Sequence, residues 1–452
     1  MKSFIFTLVL ALAFSGLFTR CKKQEKPSVS PAPVFSPLPK GKLLKKVALT
    51  SLPGQNYALY LPPTYDSTKT WPVVYFFDAH ARGSLPLQRY RALADSFGSI
   101  FIGANNLKNG LNLLELNRRT NGLLQETAQR FAIDSSQKYI MGFSGGARSA
   151  VVAALQRPDI QGVVGCAAGF PQWNRPLKHR FDYVIVAGKG DFNYLELVQL
   201  EDDLILHRMP VWYIEFEGKH RWPDSLIARK ALSVLWLAAM REGRIPRNER
   251  RIKQFVALEK AAIKQWQNPL KPLSLEKEYR LAIGALQGLS DVTHWQAALK
   301  KLQTTTAYLN ARAAWKKEEH EETKLQKEIQ RALIRVDVGW FRRAYQHWHA
   351  TKPTDNNYWQ AQRLLGYMSL MAYLYAEHAL KANDTKAAHA YLQIYALTDA
   401  NNADFYYLSA WYELLQKNIA RAQTLAEKAL KIGLDDPEKI FANPVFSVLK
   451  LH

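Results

Sequence analysis

Apolar residues in the first half of the chain recur as short runs, rich in β-branched and aromatic side chains, that alternate with longer mixed stretches. Such runs predict β-strands, and the continuously apolar ones are typical of strands that are buried on both faces of a sheet. We predict eight strands, over Val47–Thr50, Tyr57–Leu61, Val73–Phe77, Ile100–Ala104, Lys138–Phe143, Gly162–Ala167, Tyr183–Ala187 and Val211–Phe216.

The stretches between these runs have the apolar spacing of helices. Predicted helices include Leu87–Phe97, Asn121–Phe131, Ala147–Gln156 and Tyr194–His207. Because strands and helices alternate, we expect a parallel sheet that is covered by helices on both faces. The pattern therefore predicts an α/β domain over residues 47–245, built on an eight-stranded, mostly parallel sheet.

The second half of the chain has a different pattern, because the strand signal stops near residue 246 and long amphipathic helices follow. The charged stretch Ala313–Val336 has acidic and basic residues at helical spacing, which predicts a solvated face with ion pairs between residues i and i+4. Further on, two segments align so that Ala387 and Ala422 lie 35 positions apart. This spacing resembles the period of about 34 residues of tetratricopeptide-type helix pairs. We predict a helical connector over 246–340 and tetratricopeptide-like repeats over 341–452.

Helical repeats of this kind commonly present a concave binding surface, so we expect a peptide or protein partner, or a role in docking, support or dimerisation. Four clustered aromatic residues are expected in the core between helices rather than in a ligand cage: Tyr406, Tyr407, Trp411 and Tyr412. The triplet His347-Trp348-His349 is not expected to bind a metal, because residues two apart on a helix point to different faces.

The N-terminus has the pattern of an export signal. Met1-Lys2 precedes an apolar run from Phe4 to Phe18, and Cys21 follows directly. The run is typical of a secretory signal and is shorter than the roughly 20 residues that span a bilayer. The cysteine at this place resembles a bacterial lipoprotein signal, which implies that residues 1–20 are removed and that Cys21 is lipidated. An ordinary secreted protein cleaved nearby is the alternative.

Residues 21–46 are rich in proline and lysine and have no apolar period, which predicts an extended tether. Together with a lipidated Cys21, the tether predicts an exported protein on a bacterial membrane. The lipoprotein resemblance implies the outer membrane, on its periplasmic or its surface side.

A candidate nucleophile lies at the end of the fifth predicted strand, in Gly142-Phe143-Ser144-Gly145-Gly146. A nucleophilic serine needs a tight turn between strand and helix, and the turn requires small residues two positions before and two after it. Ser144 meets both conditions, which predicts a serine hydrolase. A plain glycine-rich turn is the alternative.

The partners of such a serine are expected at later strand ends, the acid first and the histidine second. Asp191 follows the seventh predicted strand and His220 the eighth, at the same edge of the sheet as Ser144. We expect Ser144 to attack, His220 to transfer the proton and Asp191 to orient the imidazole. The competing candidates lie in helices, before strands or too close to His220 in sequence: His179, Asp202, Asp203, His207 and Asp224.

An oxyanion hole would complete this site. The backbone N–H of Gly145 directly follows the nucleophile, and a second donor is expected in the loop after the third strand. Ala79 and His80 are the candidates there.

The stretches 58–65 and 71–77, together with the serine turn, resemble the α/β-hydrolase superfamily, in particular feruloyl-esterase, dienelactone-hydrolase and polyhydroxybutyrate-depolymerase-like members. The resemblance covers about 200 of the 452 residues and implies a serine esterase with Ser144, Asp191 and His220 as its triad. It also implies a small-molecule or glycan-linked ester substrate. One departure is His80-Ala81, where the family usually has His-Gly.

Composition reduces the number of possible functions and cofactors. The chain has a net charge of +22, but its basic residues are spread along an exported sequence, so we do not expect nucleic-acid binding. It contains no nucleotide or flavin fingerprint and only two cysteines, and Cys166 is expected to be a buried thiol. We expect no cofactor and no metal. A serine peptidase and a non-catalytic binding lipoprotein, which would use the helical repeats, remain the alternatives to an esterase.

Overall fold

The computed structural model describes residues 36–171, 179–434 and 438–451. The predicted signal peptide, Cys21 and most of the predicted tether lie outside these residues. The chain divides into two units, Met1–Leu38 and Pro39–His452, and every helix and strand below belongs to the second.

The first half forms one sheet of eight strands, β1 to β8, at Leu43–Ala48, Asn56–Tyr60, Trp71–Asp78, Ile100–Ala104, Ile133–Phe143, Gly162–Cys166, Asp182–Gly188 and Val211–Phe216. Their order across the sheet is β1-β2-β4-β3-β5-β6-β7-β8. Only β2 runs antiparallel to its neighbours, and all other neighbouring pairs are parallel. The predicted α/β fold class, an eight-stranded, mostly parallel sheet followed by a helical second half, is confirmed.

Five helices, α1 to α5, connect and cover these strands, at Ser84–Phe97, Leu113–Arg130, Gly145–Gln156, Tyr194–Leu206 and Ser225–Arg241. On one face, alternate side chains of β3 such as Val74 and Phe76 pack in a core with Leu87 of α1 and Leu235 of α5. Neighbouring side chains of a strand point to opposite faces of the sheet, so Val73 and Phe77 lie on the other face. They are equally buried, which means that both faces of β3 are covered.

The next three helices, α6 to α8, extend the same core, at Glu249–Gln267, Pro272–Leu286 and Thr293–Gln303. Phe255, Tyr279 and Trp295 belong to one apolar cluster with the side chains of the sheet. The first helices after residue 246 therefore pack as part of the α/β half.

A second core lies among the remaining helices. These are α9 to α15, at Thr306–Ile334, Val338–His349, Tyr358–Lys381, Thr385–Asp399, Ala403–Leu415, Ile419–Ile432 and Glu438–Ala442. A 3₁₀ turn follows at Pro444–Val448. Tyr407 and Trp411 are buried in this core, as predicted. No helix among the described residues combines the length and the apolar composition needed to cross a bilayer.

The prediction of a solvated face along α9 is wrong for Glu322, which is fully buried. Glu322 and the partly exposed Glu318 both accept hydrogen bonds from Arg363 of α11. These two acidic side chains therefore hold α9 and α11 together.

We predict that Gly103→Ala destabilises the protein by about 1–3 kcal/mol, because a Cβ there would lie 2.0 Å from the backbone oxygen of Gly83, at the start of α1. The measurement is the free energy of unfolding in urea. The matched control is Gly339→Ala in α10, where a Cβ would meet only ordinary contacts and helix propensity should add about 0.5 kcal/mol. Equal effects of the two substitutions would contradict the close approach of α1 to β4.

Candidate active site

The turn between β5 and α3 holds Ser144 in a backbone conformation that few residues adopt, with φ 54° and ψ −127°. A Cβ on Gly142 would lie 2.5 Å from the Cα of Ala147, and one on Gly146 would lie 2.1 Å from the carbonyl oxygen of Phe77. Glycine is therefore required on both sides of the serine. The N–H of Ser144 donates to the carbonyl of Cys166 at 2.9 Å and ties the turn to β6.

The structure brings Ser144, His220 and Asp191 together in one hydrogen-bonded chain. His220 Nε2 lies 2.9 Å from Ser144 Oγ. His220 Nδ1 lies 3.0 Å from both carboxylate oxygens of Asp191. When His220 carries its proton on Nδ1, that N–H donates to the Asp191 carboxylate, and Nε2 accepts from the Ser144 hydroxyl. A nucleophilic serine needs this tautomer of the histidine.

The loops that carry the acid and the histidine are joined by their backbones. The N–H of Lys189 donates to the carbonyl of Phe216 at 2.9 Å, and that of Gly190 donates to the carbonyl of Gly218 at 2.8 Å. A Cβ on Gly188 would lie 2.7 Å from the Gly218 oxygen, so the two loops approach closely. This pairing fixes the separation of the two side chains.

Further contacts fix the orientation of each group. Asp191 is fully buried and also accepts a hydrogen bond from the N–H of Asn193 at 2.9 Å. The ring of His220 stacks on Phe192, with ring centroids 4.2 Å apart, and lies 4.9 Å from Phe143. The imidazole is therefore held between two aromatic rings, with one edge at the cleft.

The structure separates the candidate oxyanion donors. Gly145 is the first residue of α3, so its N–H lies at the positive end of a helix. The N–H of His80, by contrast, donates to the Asp78 carboxylate at 2.9 Å. This observation favours Ala79 over His80 as the second donor.

Asn109 is a site residue that sequence reasoning missed. Its Oδ1 lies only 1.7 Å from where a Cβ on Gly145 would be, and its N–H donates to the carbonyl of Ala79 at 2.8 Å. The side chain thus contacts the candidate oxyanion region from the loop after β4. The available signal was the asparagine-rich loop 105–109, which directly follows a fully apolar strand and ends at Asn109.

Asp78 was also missed, and it is a second buried carboxylate at this sheet edge. It accepts hydrogen bonds from Arg82 Nε at 2.8 Å and from Trp222 Nε1 at 2.8 Å, in addition to the His80 N–H. Burial alone would raise the pKa of this carboxyl, but these donors outweigh it and hold the pKa below its ordinary value. Asp78 therefore connects the loop after β3 to the loop that carries His220.

The three side chains open into a cleft of about 1300 Å³ that has two walls. One wall is the sheet edge, with Ser144, His220 and Phe192. The other is formed by the helical half, where α10, α11 and α13 contribute Tyr345, Tyr358, Ser369, Tyr373, Glu377 and Asp404. Sequence reasoning did not predict this wall, because it assigned the helical half to partners alone.

The competing candidates have other roles in the structure. His207 is exposed at the end of α4, where its ring contacts the carbonyl of Asp203, and Asp224 caps α5. Cys166 is buried in β6, and burial raises the pKa of its thiol. Within the ranges that the structure describes, no three His, Cys, Asp or Glu residues are grouped so that they could hold a metal ion.

No family model and no curated protein matches this chain. Solved structures that are similar to it include an S-formylglutathione hydrolase of Staphylococcus aureus, at 17% identity, with 40% of this chain and 90% of that one covered and a TM-score of 0.32. A carboxylesterase of Mesorhizobium loti matches at 17% identity over 43% of this chain and 99% of that one, with a TM-score of 0.34. A ferulic acid esterase of Anaeromyces mucronatus matches at 15% identity over 38% and 81%, with a TM-score of 0.32.

We predict that Asp78→Asn lowers the free energy of unfolding by about 2 kcal/mol at pH 7, because the charge-assisted hydrogen bonds to Arg82 and Trp222 weaken. The pKa of Asp78 is lowered in the folded state, so its carboxylate stabilises the protein fully above the unfolded-state pKa of about 4. This stabilisation is lost as the pH falls through the folded-state pKa. The difference between wild type and variant should therefore shrink in acid. Urea unfolding over a pH series measures it.

The control for this prediction is Asp224→Asn at the exposed cap of α5, where asparagine caps equally well and a change of a few tenths of a kcal/mol at most is expected. A difference for Asp78→Asn that stays constant from pH 7 to pH 2 would contradict a charged Asp78 in the folded protein.

Proposed function

We propose that this protein is a serine hydrolase that cleaves a carboxylic ester through an acyl-enzyme. The observation that supports it best is the hydrogen-bonded chain from Ser144 Oγ through His220 to the buried Asp191. The strained turn at Ser144 adds to it, because it presents the hydroxyl at the edge of the sheet where the cleft opens.

In this proposal the Ser144 oxygen attacks the ester carbonyl while His220 Nε2 takes the hydroxyl proton. The imidazolium that forms keeps its Nδ1–H directed at Asp191. It then gives the Nε2 proton to the leaving alcohol as the carbon–oxygen bond of the ester breaks. A water molecule, deprotonated by the same Nε2, then hydrolyses the acyl-enzyme and restores Ser144.

The negative charge on the carbonyl oxygen needs donors that are already in place. We assign this role to the N–H groups of Gly145 and Ala79, since the His80 N–H is directed at Asp78. Asn109 is placed to hold this region, because it contacts both the Gly145 backbone and the Ala79 carbonyl.

The size of the cleft favours a substrate with a large group attached to the ester. Sites for drug-sized ligands are about 300–1000 Å³, and this cleft is about 1300 Å³. Tyrosines of the helical wall, such as Tyr345, Tyr358 and Tyr373, offer apolar faces with polar edges. A glycan-linked ester fits this lining, and we further propose that the protein acts on it after export, anchored through Cys21.

We expect a fluorophosphonate to label the native protein at Ser144, because an activated serine displaces the fluoride. Ser144→Ala should abolish labelling, and Asp191→Asn should slow it about 10⁴-fold, because His220 then favours the wrong tautomer. Ser96→Ala, an exposed serine of α1, is the control and should label like wild type. Peptide mass mapping identifies the labelled residue, and a time course of labelling measures the rate.

Labelling elsewhere, or none in folded protein, would contradict the hydrolase and favour a binding protein on the same scaffold. A panel of acetyl esters, bulky sugar-linked esters and the matching amides separates esterase from peptidase. We expect higher kcat/KM for the bulky esters than for the acetyl esters, and faster turnover of amides would favour the peptidase.

A further inference from the structure

The loop that carries Asp191 is covered directly by helix α11 of the helical half. A Cβ on Gly190 would lie 3.0 Å from the Trp359 ring and 3.2 Å from the Cβ of Gln362. On the other side of Asp191, a Cβ on Gly366 would lie 3.4 Å from the ring of Phe192. One face of α11 therefore packs on both neighbours of the acid.

Arg363 of the same helix binds this loop by its backbone. Its Nη1 donates to the carbonyl of Lys189 at 2.8 Å. The N–H groups of Lys189 and Gly190 already pair with the loop that carries His220. The guanidinium thus holds the opposite side of the loop, two residues before Asp191.

The guanidinium is buried, and two carboxylates of α9 hold it. Arg363 is 2% exposed, and its Nε and Nη2 donate to Glu322 at 2.9 and 2.7 Å, with a further bond to Glu318 at 2.6 Å. Its flat face lies over the ring of Tyr194, 5.0 Å from the centroid. Burial opposes the charge, but Glu322 and Glu318 outweigh it and raise the pKa of Arg363. A planar fork with all three of its nitrogens hydrogen-bonded has little freedom to shift.

We propose that Arg363 is a positioning residue for catalysis: it fixes the Lys189 carbonyl and thereby the distance between Asp191 and His220. The inference rests on the proposed function. It also means that the helical half sets the geometry of the triad, in addition to lining the cleft. Arg363 lies outside that cleft and touches no reacting atom, so its effect must pass through the loop.

The test is the double variant Arg363→Met/Glu322→Met, which removes both buried charges so that neither is left unpaired. The matched control is Lys230→Met/Glu278→Met, which likewise removes a buried cation and the carboxylate that it binds, at a place where the partners lie in α6 and α7. Glu259 also lies beside Lys230, but burial raises the pKa of its carboxyl to about 8, so the control leaves no buried charge there at pH 7. Urea unfolding shows how far each variant loses stability.

Two readouts are measured on both variants: the rate of fluorophosphonate labelling, and the low-field proton resonance of the His220 Nδ1–H bonded to Asp191, assigned by its absence in His220→Gln. We expect the Arg363 variant to label about 10- to 100-fold more slowly, as an error of about 1 Å at a catalytic group would cause. Its low-field resonance should move upfield or disappear. The Lys230 control should keep the labelling rate and the low-field resonance of the wild type.

Unchanged labelling and an unchanged resonance in the folded Arg363 variant would overturn the proposal. Equal losses in the control would overturn it too, since they would show a general effect of removing a buried ion pair. If the wild type is not labelled, the proposed hydrolase fails, and the resonance alone then decides whether Arg363 positions Asp191.

Discussion

The burial of the Asp191 carboxylate is the constraint on which the rest of the structure depends. A buried charge costs several kcal/mol unless hydrogen bonds and an opposite charge replace the lost water. Here the Nδ1–H of His220 and the N–H of Asn193 donate to the carboxylate. His220 reaches Asp191 only because the loops after β7 and β8 pair with each other. The order of the strands makes this feasible, because β7 and β8 are neighbours at the edge of the sheet.

Much of the fold and the three central site residues could be predicted, because each leaves a local signal. Strands buried on both faces are continuous apolar runs, and glycines around Ser144 mark a turn too tight for side chains. Asp191 and His220 follow strands directly, so the common edge of a parallel sheet brings them together. The pair of Glu322 and Arg363 leaves no such signal, since helical spacing shows which side chains share a face but not which distant helix covers it. Asp78 was missed for the same reason, because its partner Trp222 is 144 residues away.

The two halves of the molecule meet through charges as well as apolar side chains. On the side of the α/β half, Glu215 of β8 binds Lys277 of α7 and lies 3.4 Å from Lys189. Burial of the Glu215 carboxyl is outweighed by these two cations, which lower its pKa. Together with Arg363 and Glu322, these groups form a buried ionic layer beside the acid loop. Apolar contacts would tolerate a range of packing angles, whereas forked hydrogen bonds are satisfied in one arrangement. Such a layer adds little net stability but can select a geometry. The helical half expected to serve partners thus also lies against the sheet edge that carries Ser144, Asp191 and His220.

The departure at His80-Ala81 can be understood in the same terms. Ala81 has φ 58°, in the left-handed region that favours glycine, so the alanine strains the backbone by about 1–2 kcal/mol. The loop nevertheless keeps its turn, because the Ala81 N–H donates to the carbonyl of Asp78 and the His80 N–H donates to the Asp78 carboxylate. The buried Asp78 therefore holds the strained turn and accepts hydrogen bonds from Arg82 and Trp222. Because the His80 N–H also donates to Asp78, it is not available as a donor in the proposed oxyanion hole. Ala79 follows β3 directly and lines the cleft.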